Sequence, residues 1–547
     1  MLGGVCVRKG AQMAWCVTII GIVILVAGCG GGNGGGSTAY TVSGRIIRAN
    51  SDEGVEGVTI AFSGGFGTAI TGFDGKWSKS GLKGTVSVTP ARDGWAFSPG
   101  NSQVSGAATN VNFTGGSSGG AIFDDLRLES VVRGLISRPT GSIPIQDVAT
   151  ITLLEAPECG IRRLGGIEYL TGLEELDLIG NQIQDITPLS QLANLKLLSL
   201  HGNQVSSIAG LSALTALEEL YLNVNKIVDI SPLAGLTNLK VLAFYENQVA
   251  DITRVAGLTN LEVLGMRNNK ISSLAPVAGL SKLEELYLEA NQVNDISPIA
   301  GLTRLRRIDL DLNKISDISP VAGLTALELL SACVNQIMNI GAVANLGNLS
   351  ELWLYDNHIS NIDAVKLLVN LEILHLAKNE ITTIDSLANL TKLRRLYLWD
   401  NSITDIGPVS SLTSLNELHA SRNEIVNIAA LSGITTLQKL SLWGNSIVNI
   451  QPLGALVNLQ LLWLSDNAIT DIRPLVDNAG LGAGDDVDIR RNPLDLTPGS
   501  ATMQNINTLI VRGVNLKYGS ATALESLMDA PSPTDELDTN LSRRRVD

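Results

Sequence analysis

Leu173-Glu-Glu-Leu176-Asp-Leu178-Ile-Gly-Asn181-Gln-Ile183-Gln-Asp-Ile186-Thr-Pro188-Leu189-Ser-Gln-Leu192 decides the fold of this chain, because the same frame returns at a constant interval without an insertion or deletion. Its asparagine recurs at Asn181, Asn203, Asn225, Asn247, Asn269, Asn291, Asn313, Asn335, Asn357, Asn379, Asn401, Asn423, Asn445 and Asn467. A 22-residue unit cannot bury its own leucines, so copies must stack into a core that runs continuously from one to the next. Side chains alternate along a short strand, which sends Leu176 and Leu178 inward and leaves Glu175, Asp177 and Ile179 outward. The asparagine turns the chain after the strand, and its amide is expected to satisfy backbone groups of its own and the next coil as a buried ladder. Across the coil, Asp229-Ile-Ser-Pro-Leu233 and the similar Asp295 to Ile299 pair a serine, expected to act as a cap, with proline at the first helical position. That pairing predicts a single 3₁₀ turn.

The frame is the leucine-rich repeat signature at its shorter length, and the chain from about Phe123 to Tyr518 resembles the internalin-like leucine-rich repeat proteins of bacteria. The resemblance implies an α/β-type solenoid, right-handed and curved, with a parallel sheet on the concave side and 3₁₀ turns on the convex side. Fourteen repeats occupy residues 173–480, a helical N-terminal cap with a first atypical coil occupies 122–172, and a terminal atypical coil with its cap occupies 481–518. Fifteen coils at about 4.8 Å each would make a rod roughly 70 Å long. Phe123-Asp-Asp-Leu-Arg-Leu128 begins an amphipathic pattern with acids at its start, as a helix prefers, and a second short helix is expected after Pro144. Cys159 stands one full repeat before Asn181, in the asparagine slot, and reads as structural. A helix near Met503 to Arg512 and a strand from Val514 to Tyr518 are expected to close the far end.

Before the repeats the texture changes. Residues 40–115 alternate polar and apolar between glycine turns and hold five of the seven phenylalanines, with Trp77 and Trp95, which predicts a small β-sandwich. Gly57-Val-Thr-Ile-Ala-Phe62 and Thr71-Gly-Phe-Asp-Gly-Lys-Trp77 resemble the carboxypeptidase regulatory-like and prealbumin-like modules, a likeness that implies a spacer. Asp74 in its Asp-Gly turn reads as hairpin chemistry and is assigned no metal. Residues 116–121 read as a linker.

At the start, Arg8 and Lys9 precede an apolar run from Ala14 to Ala27 that is short for a membrane span and reads as a secretory signal over 1–28. Leu25-Val-Ala-Gly-Cys29 resembles the bacterial lipobox, which implies that Cys29 is acylated, palmitate included, and joins the protein to a lipid bilayer through the glycine-rich tether of 29–39. A lipid-anchored protein of the bacterial cell envelope or cell surface is the localisation this implies. Cys159 and Cys333 then remain in the folded part, eight coils and about 38 Å apart, too far for a disulfide. The tail over 519–547, with Pro531, Pro533 and the Arg543 to Arg545 run, reads as disordered.

A net charge of -14 disfavours nucleic acid as a partner. No cofactor, metal or catalytic set is expected: the chain lacks a glycine-rich phosphate loop and a triad signature, and His375 and His419 stand two coils, about 10 Å, apart. Cys333 reads as facing outward one coil after Asp309 and Asp311, whose charges disfavour a thiolate. The function must lie in a surface. All four repeat tryptophans, Trp353, Trp399, Trp443 and Trp463, fall at outward strand positions, shared by Tyr287, Tyr355, Tyr397, His375 and His419. These nine residues are the candidate ligand-binding set on the concave face, read as exposed anchors for a protein ligand. A plainer reading has the rings pack on one another along the sheet. A glycan ligand and a purely structural envelope role are the alternatives. Asp356, Lys378, Asp400 and Arg422 hold one position in four successive coils and are expected to neutralise one another.

Overall fold

A computed structural model of the chain describes residues 38–49 and 52–519. The segment read as a signal, Cys29 and most of the stretch read as a tether, and the tail from residue 520, lie outside the described residues. The chain divides into two compact units, Met1–Lys226 and Ile227–Asp547.

The first unit opens with eight strands: β1 (Tyr40–Arg48), β2 (Thr59–Phe62), β3 (Thr68–Ile70), β4 (Lys76–Leu82), β5 (Val86–Ala91), β6 (Trp95–Ser98), β7 (Ser102–Val104) and β8 (Phe113–Ser117). They form two four-stranded sheets, β4-β1-β8-β6 and β3-β2-β5-β7, antiparallel except for the β1–β8 pair. Alternation in β1 buries Val42, Gly44 and Ile46, and these inward faces enclose Ile60, Phe62, Trp77, Val88 and Phe113. Gly44 is required by space, since a Cβ there would fall 1.9 Å from the Val111 carbonyl oxygen. Asp74 serves the hairpin turn as its sequence implies: Oδ1 accepts the Lys76 backbone N–H at 3.0 Å, and the Lys76 ammonium pairs with Oδ2 at 2.9 Å.

The stretch read as a linker is built into this domain. Its first residues belong to β8, and Ser117 Oγ accepts the N–H groups of Gly119 and Gly120. Ile122 then joins the sandwich core. Arg48 bridges Asp124 at 2.8 Å and Glu168 at 2.9 Å, Arg92 pairs with Glu129, and the Arg163 guanidinium donates to the Gly54 carbonyl. The sandwich is thus docked on the cap, because Ile122 and Phe123 are apolar and their burial draws the two together. The cap contains α1 (Leu126–Leu135) and α2 (Ile145–Val148). Asp125 caps α1 by accepting the Arg127 N–H, while its other oxygen accepts from Arg162 and Arg163 and so joins the helix to the first coil. Four parallel strands follow, β9 (Leu153–Glu155), β10 (Glu175–Asp177), β11 (Leu197–Ser199) and β12 (Glu219–Tyr221), each of the last three in register with its counterpart one coil earlier.

The second unit continues the same construction. Thirteen strands run from β13 (Val241–Ala243) to β25 (Asn515–Lys517), including β18 (Glu351–Trp353), β19 (Ile373–His375), β20 (Arg395–Tyr397), β21 (Glu417–His419), β22 (Lys439–Ser441), β23 (Leu461–Trp463) and β24 (Asp486–Asp488). They pair in parallel, each offset from the last by one full repeat until the longer step to β24. An α-helix over Arg473–Asp477 replaces the last 3₁₀ turn, and a second over Ala501–Val511 packs at the end, one to two residues from where the sequence placed it.

Two local devices differ from the sequence reading. Each ladder asparagine serves its own coil and the preceding one, not the next. Asn357 Nδ2 donates to the carbonyls of Ala332, Leu354 and Tyr355, and its Oδ1 accepts the Ile337 N–H at 2.9 Å. The ladder extends to Asn492 in the terminal coil. The second device is the cap of the 3₁₀ turn, which is the aspartate and not the serine: Asp229 accepts both the N–H and the hydroxyl of Ser231, and Asp295 accepts the Ser297 N–H at 2.8 Å. A carboxylate two residues upstream reaches the first orphan N–H of the turn, which serine at the first helical position cannot do for itself. The Asp295 carboxyl is lowered by those Ser297 hydrogen bonds.

The residue before each asparagine is left-handed, as at Val334 (φ 53°), Asp356 (54°), Lys378 (55°), Asp400 (53°) and Arg422 (52°). Such a conformation strains a non-glycine residue, and hydrogen bonds hold it here. The N–H of Lys378, for example, donates to the Trp399 carbonyl of the next coil at 2.7 Å.

Candidate functional site

Outward residues of each coil form parallel rows: the first residue of the strand, its third, and the second residue beyond that. Because strands lie about 4.8 Å apart, residues in one row meet their counterparts at ring-stacking distance. The third-residue row of β18 to β21 reads Trp353, His375, Tyr397, His419. Their rings form a continuous stack: Trp353 to His375 is 5.5 Å between centroids, His375 to Tyr397 4.8 Å, and Tyr397 to His419 5.2 Å. Trp463 meets His419 edge-on at 6.3 Å. From the neighbouring row Tyr355 stands edge-on to His375 and lies 5.1 Å from Trp399.

Seven of the nine candidates are therefore brought together, but not as free anchors. Trp353 and Trp399 are each 5% exposed, and His375, Tyr397 and His419 are buried as well. The plainer reading of these rings holds for this part of the set, since the strand spacing makes each ring the wall of its neighbour. Tyr355, Trp443 and Trp463 are half-buried and keep surface toward solvent. Trp443 stands apart from the stack with the Arg422 guanidinium 5.7 Å from its ring centre. Tyr287 lies elsewhere, under Arg267 at 4.6 Å and donating its hydroxyl to Glu285 at 2.6 Å. Burial, then that carboxylate, pushes its phenol well up.

Sequence reasoning missed the first-residue row, whose signal was the same alternation that identified the aromatics. Glu351 accepts the Trp353 indole N–H at 3.1 Å. Glu417, buried, accepts the Tyr397 hydroxyl at 3.1 Å and stands 3.0 Å from His419 Nε2. Its burial alone would raise the carboxyl, but the His419 contact, the charges of His419 and Lys439 and the Tyr397 hydrogen bond together hold it below the ordinary value. Arg395 and Lys439 flank it, each 3.8 Å away. The four-residue charge row pairs as expected, Lys378 with Asp356 and Arg422 with Asp400.

Closer to the start of this unit polar and charged pairs take the place of the ring stack. Arg267 donates to Asp309 at 2.9 Å, and Asp311 accepts the Cys333 N–H at 2.6 Å and the Ser331 hydroxyl at 2.7 Å. Cys333 is buried by this arrangement, not displayed outward. Among the described residues no group of three or more His, Cys, Asp and Glu side chains is arranged to hold a metal ion.

The family model for leucine-rich repeats in two copies matches residues 193–235, 281–323, 369–401, 391–433 and 435–477. An internalin of Listeria monocytogenes, inlF, is 33% identical, with 66% of this chain and 94% of that one covered and a TM-score of 0.51. The chain belongs to the internalin-like leucine-rich repeat family. Two further likenesses bear on the fold of this internalin-like protein alone. The functional domain of InlJ from the same organism is 24% identical, covering 67% of this chain and 79% of that one, with a TM-score of 0.61. A leucine-rich repeat protein of Leptospira interrogans is 23% identical, covering 68% and 97%, with a TM-score of 0.55.

Proposed function

We propose that this internalin-like protein is a surface-displayed lipoprotein that binds a protein partner through the aromatic sheet face of its repeats, without enzymatic activity of its own. The observation that carries the reading is the stack from Trp353 to His419, which holds the half-buried Tyr355 and Trp463 against it, with Trp443 half-buried on the same face beside Arg422. Aromatic groups held in place before contact lose little entropy on binding, which is the composition of an interface hot spot. A glycan reading is less favoured, because sugars stack on open ring faces and those of Trp353 and Trp399 are covered by Tyr397 and Tyr355. Membrane attachment through an acylated Cys29 after a cleaved signal would place this face outside the bilayer in the cell envelope.

Two measurements test the reading. The full chain and its Trp443→Ala/Trp463→Ala variant, matched for thermal stability, are used to capture proteins from envelope and host-surface extracts. A partner held by the unmutated chain and lost by the variant supports the binding face, and equal capture by both overturns it. Metabolic labelling with palmitate should mark the chain and fail on Cys29→Ser; equal labelling of both removes the lipoprotein assignment.

A further inference from the structure

Three of the charged sites on the aromatic face share one geometry: the cation stands outward and the carboxylate is covered. Arg422 is 57% exposed against 22% for Asp400, and Lys378 50% against 32% for Asp356. Around Glu417 the contrast is largest, with Arg395 at 45% and Lys439 at 41% over a carboxylate at 9%. Longer cationic stems account for part of this, since they lie along apolar surface and lift their heads to water. The consequence holds whatever the cause. Glu417 accepts from Tyr397 and sits against His419, and Arg395 and Lys439 each pair with it at 3.8 Å while their own charged heads stay exposed. Arg395 and Lys439 come from strands two apart, about 10 Å, and share the face with Trp463.

We infer that the partner meets this face with an acidic segment of protein chain, its Asp and Glu carboxylates taken up by Arg395 and Lys439 and its apolar side chains resting on Trp443 and Trp463. This rests on the protein-binding reading above. The chain's net charge of -14 does not prevent it, because charges farther away than about 8 Å are largely screened at physiological salt. A densely sulfated glycan fits less well. The cations are separated by Glu417 in one row and by Asp400 in the other, so a continuous polyanion would meet carboxylates between them.

The test uses the full chain and four probes: a capped peptide of Glu-Asp pairs spaced by leucine and tyrosine, its Gln-Asn counterpart, its Lys-Arg counterpart, and a heparin oligosaccharide. The acidic peptide should bind more tightly than either counterpart, and at least about tenfold more weakly when salt is raised from about 50 to about 500 mM. Arg395→Gln/Lys439→Gln should weaken it by a similar factor, and Arg395→Lys in the Lys439 background should retain most of the affinity. The double variant should fold, since Glu417 keeps its contacts with Tyr397 and His419; a melting curve checks this. Absent binding of the acidic peptide, equal binding of the Gln-Asn peptide, or indifference to the double variant overturns the proposal. Tighter heparin binding with the same dependence on both cations overturns it in favour of an anionic glycan. Acidic-peptide binding that survives Trp443→Ala/Trp463→Ala would instead remove the aromatic reading and leave the charge inference standing.

Discussion

Two stretches of the second unit, Val241 to Ser331 and Glu351 to Trp463, have the same backbone and the same interior but different outward rows. Both bury one leucine or isoleucine at the centre of every strand, and both hang on the asparagine ladder. Outward, the first relies on Arg267 with Asp309 and on Asp311 with Ser331 and Cys333, while the second relies on stacked rings. In a solenoid the interior must repeat for neighbouring coils to fit, whereas the outward rows are under no such constraint. What distinguishes this chain from any other of its repeat class therefore lies in those rows, and the second stretch is the one whose rings stack from coil to coil, whereas Tyr287 of the first lies under Arg267.

Substitutions in the two stretches put that contrast to the test. The largest effect is expected at Trp399, where Trp399→Ala removes a buried ring from the cluster it shares with Tyr355 and Tyr397 and should cost about 3 kcal/mol by denaturant unfolding. A loss below about 0.5 kcal/mol would mean that the stack is decoration and not structure. The ladder should not distinguish the stretches at all. Asn357→Ala and Asn291→Ala each orphan four backbone partners and should each cost roughly 1 to 3 kcal/mol, so clearly unequal losses would show that the interiors are not equivalent.

Acid should weaken the second stretch at Glu417. Glu417 is held below its ordinary value of 4.5, so its contribution is fully present above that pH and is lost as pH falls through the lowered folded value. Glu417→Gln should flatten this part of the stability profile below about pH 4.5, and an unchanged profile would remove Glu417 as its source. The smallest effect is expected at Trp443, half-buried and outside the stack, where Trp443→Ala should change stability by no more than about 0.5 kcal/mol while weakening partner binding. A variant with Trp353 or Trp399 truncated cannot separate binding from folding; Trp443 and Trp463 can.

The junction of the sandwich with the cap shows a different use of buried charge. Asp124 is fully buried beside Arg48, and Glu53 is raised by its own burial and then by the Asp124 charge. A raised carboxyl contributes below its unfolded value and loses that contribution as pH rises through the folded one, opposite in sign to Glu417.

The repeat length, the parallel strands, the 3₁₀ turns and the existence of the asparagine ladder were legible from the chain alone, since each follows from local periodicity that a single coil already contains; which neighbouring coil the asparagine serves and which residue caps the turn were not. The outward positions of Trp353, Tyr397 and Trp399 were legible for the same reason. Their burial was not: it depends on which ring stands at the same place in the next coil, at a spacing that exists only once the coils stack. The roles of Arg395, Lys439 and Glu417 were hidden likewise, because residues a full repeat apart become neighbours only across the sheet. The left-handed residue before each asparagine left its trace only at Gly180, Gly202 and Gly444, and elsewhere hydrogen bonds to the adjacent coil impose it on valine, lysine and aspartate. Alternation along the chain thus determined which side chains face out, and stacking between coils decided which of them a partner could still touch.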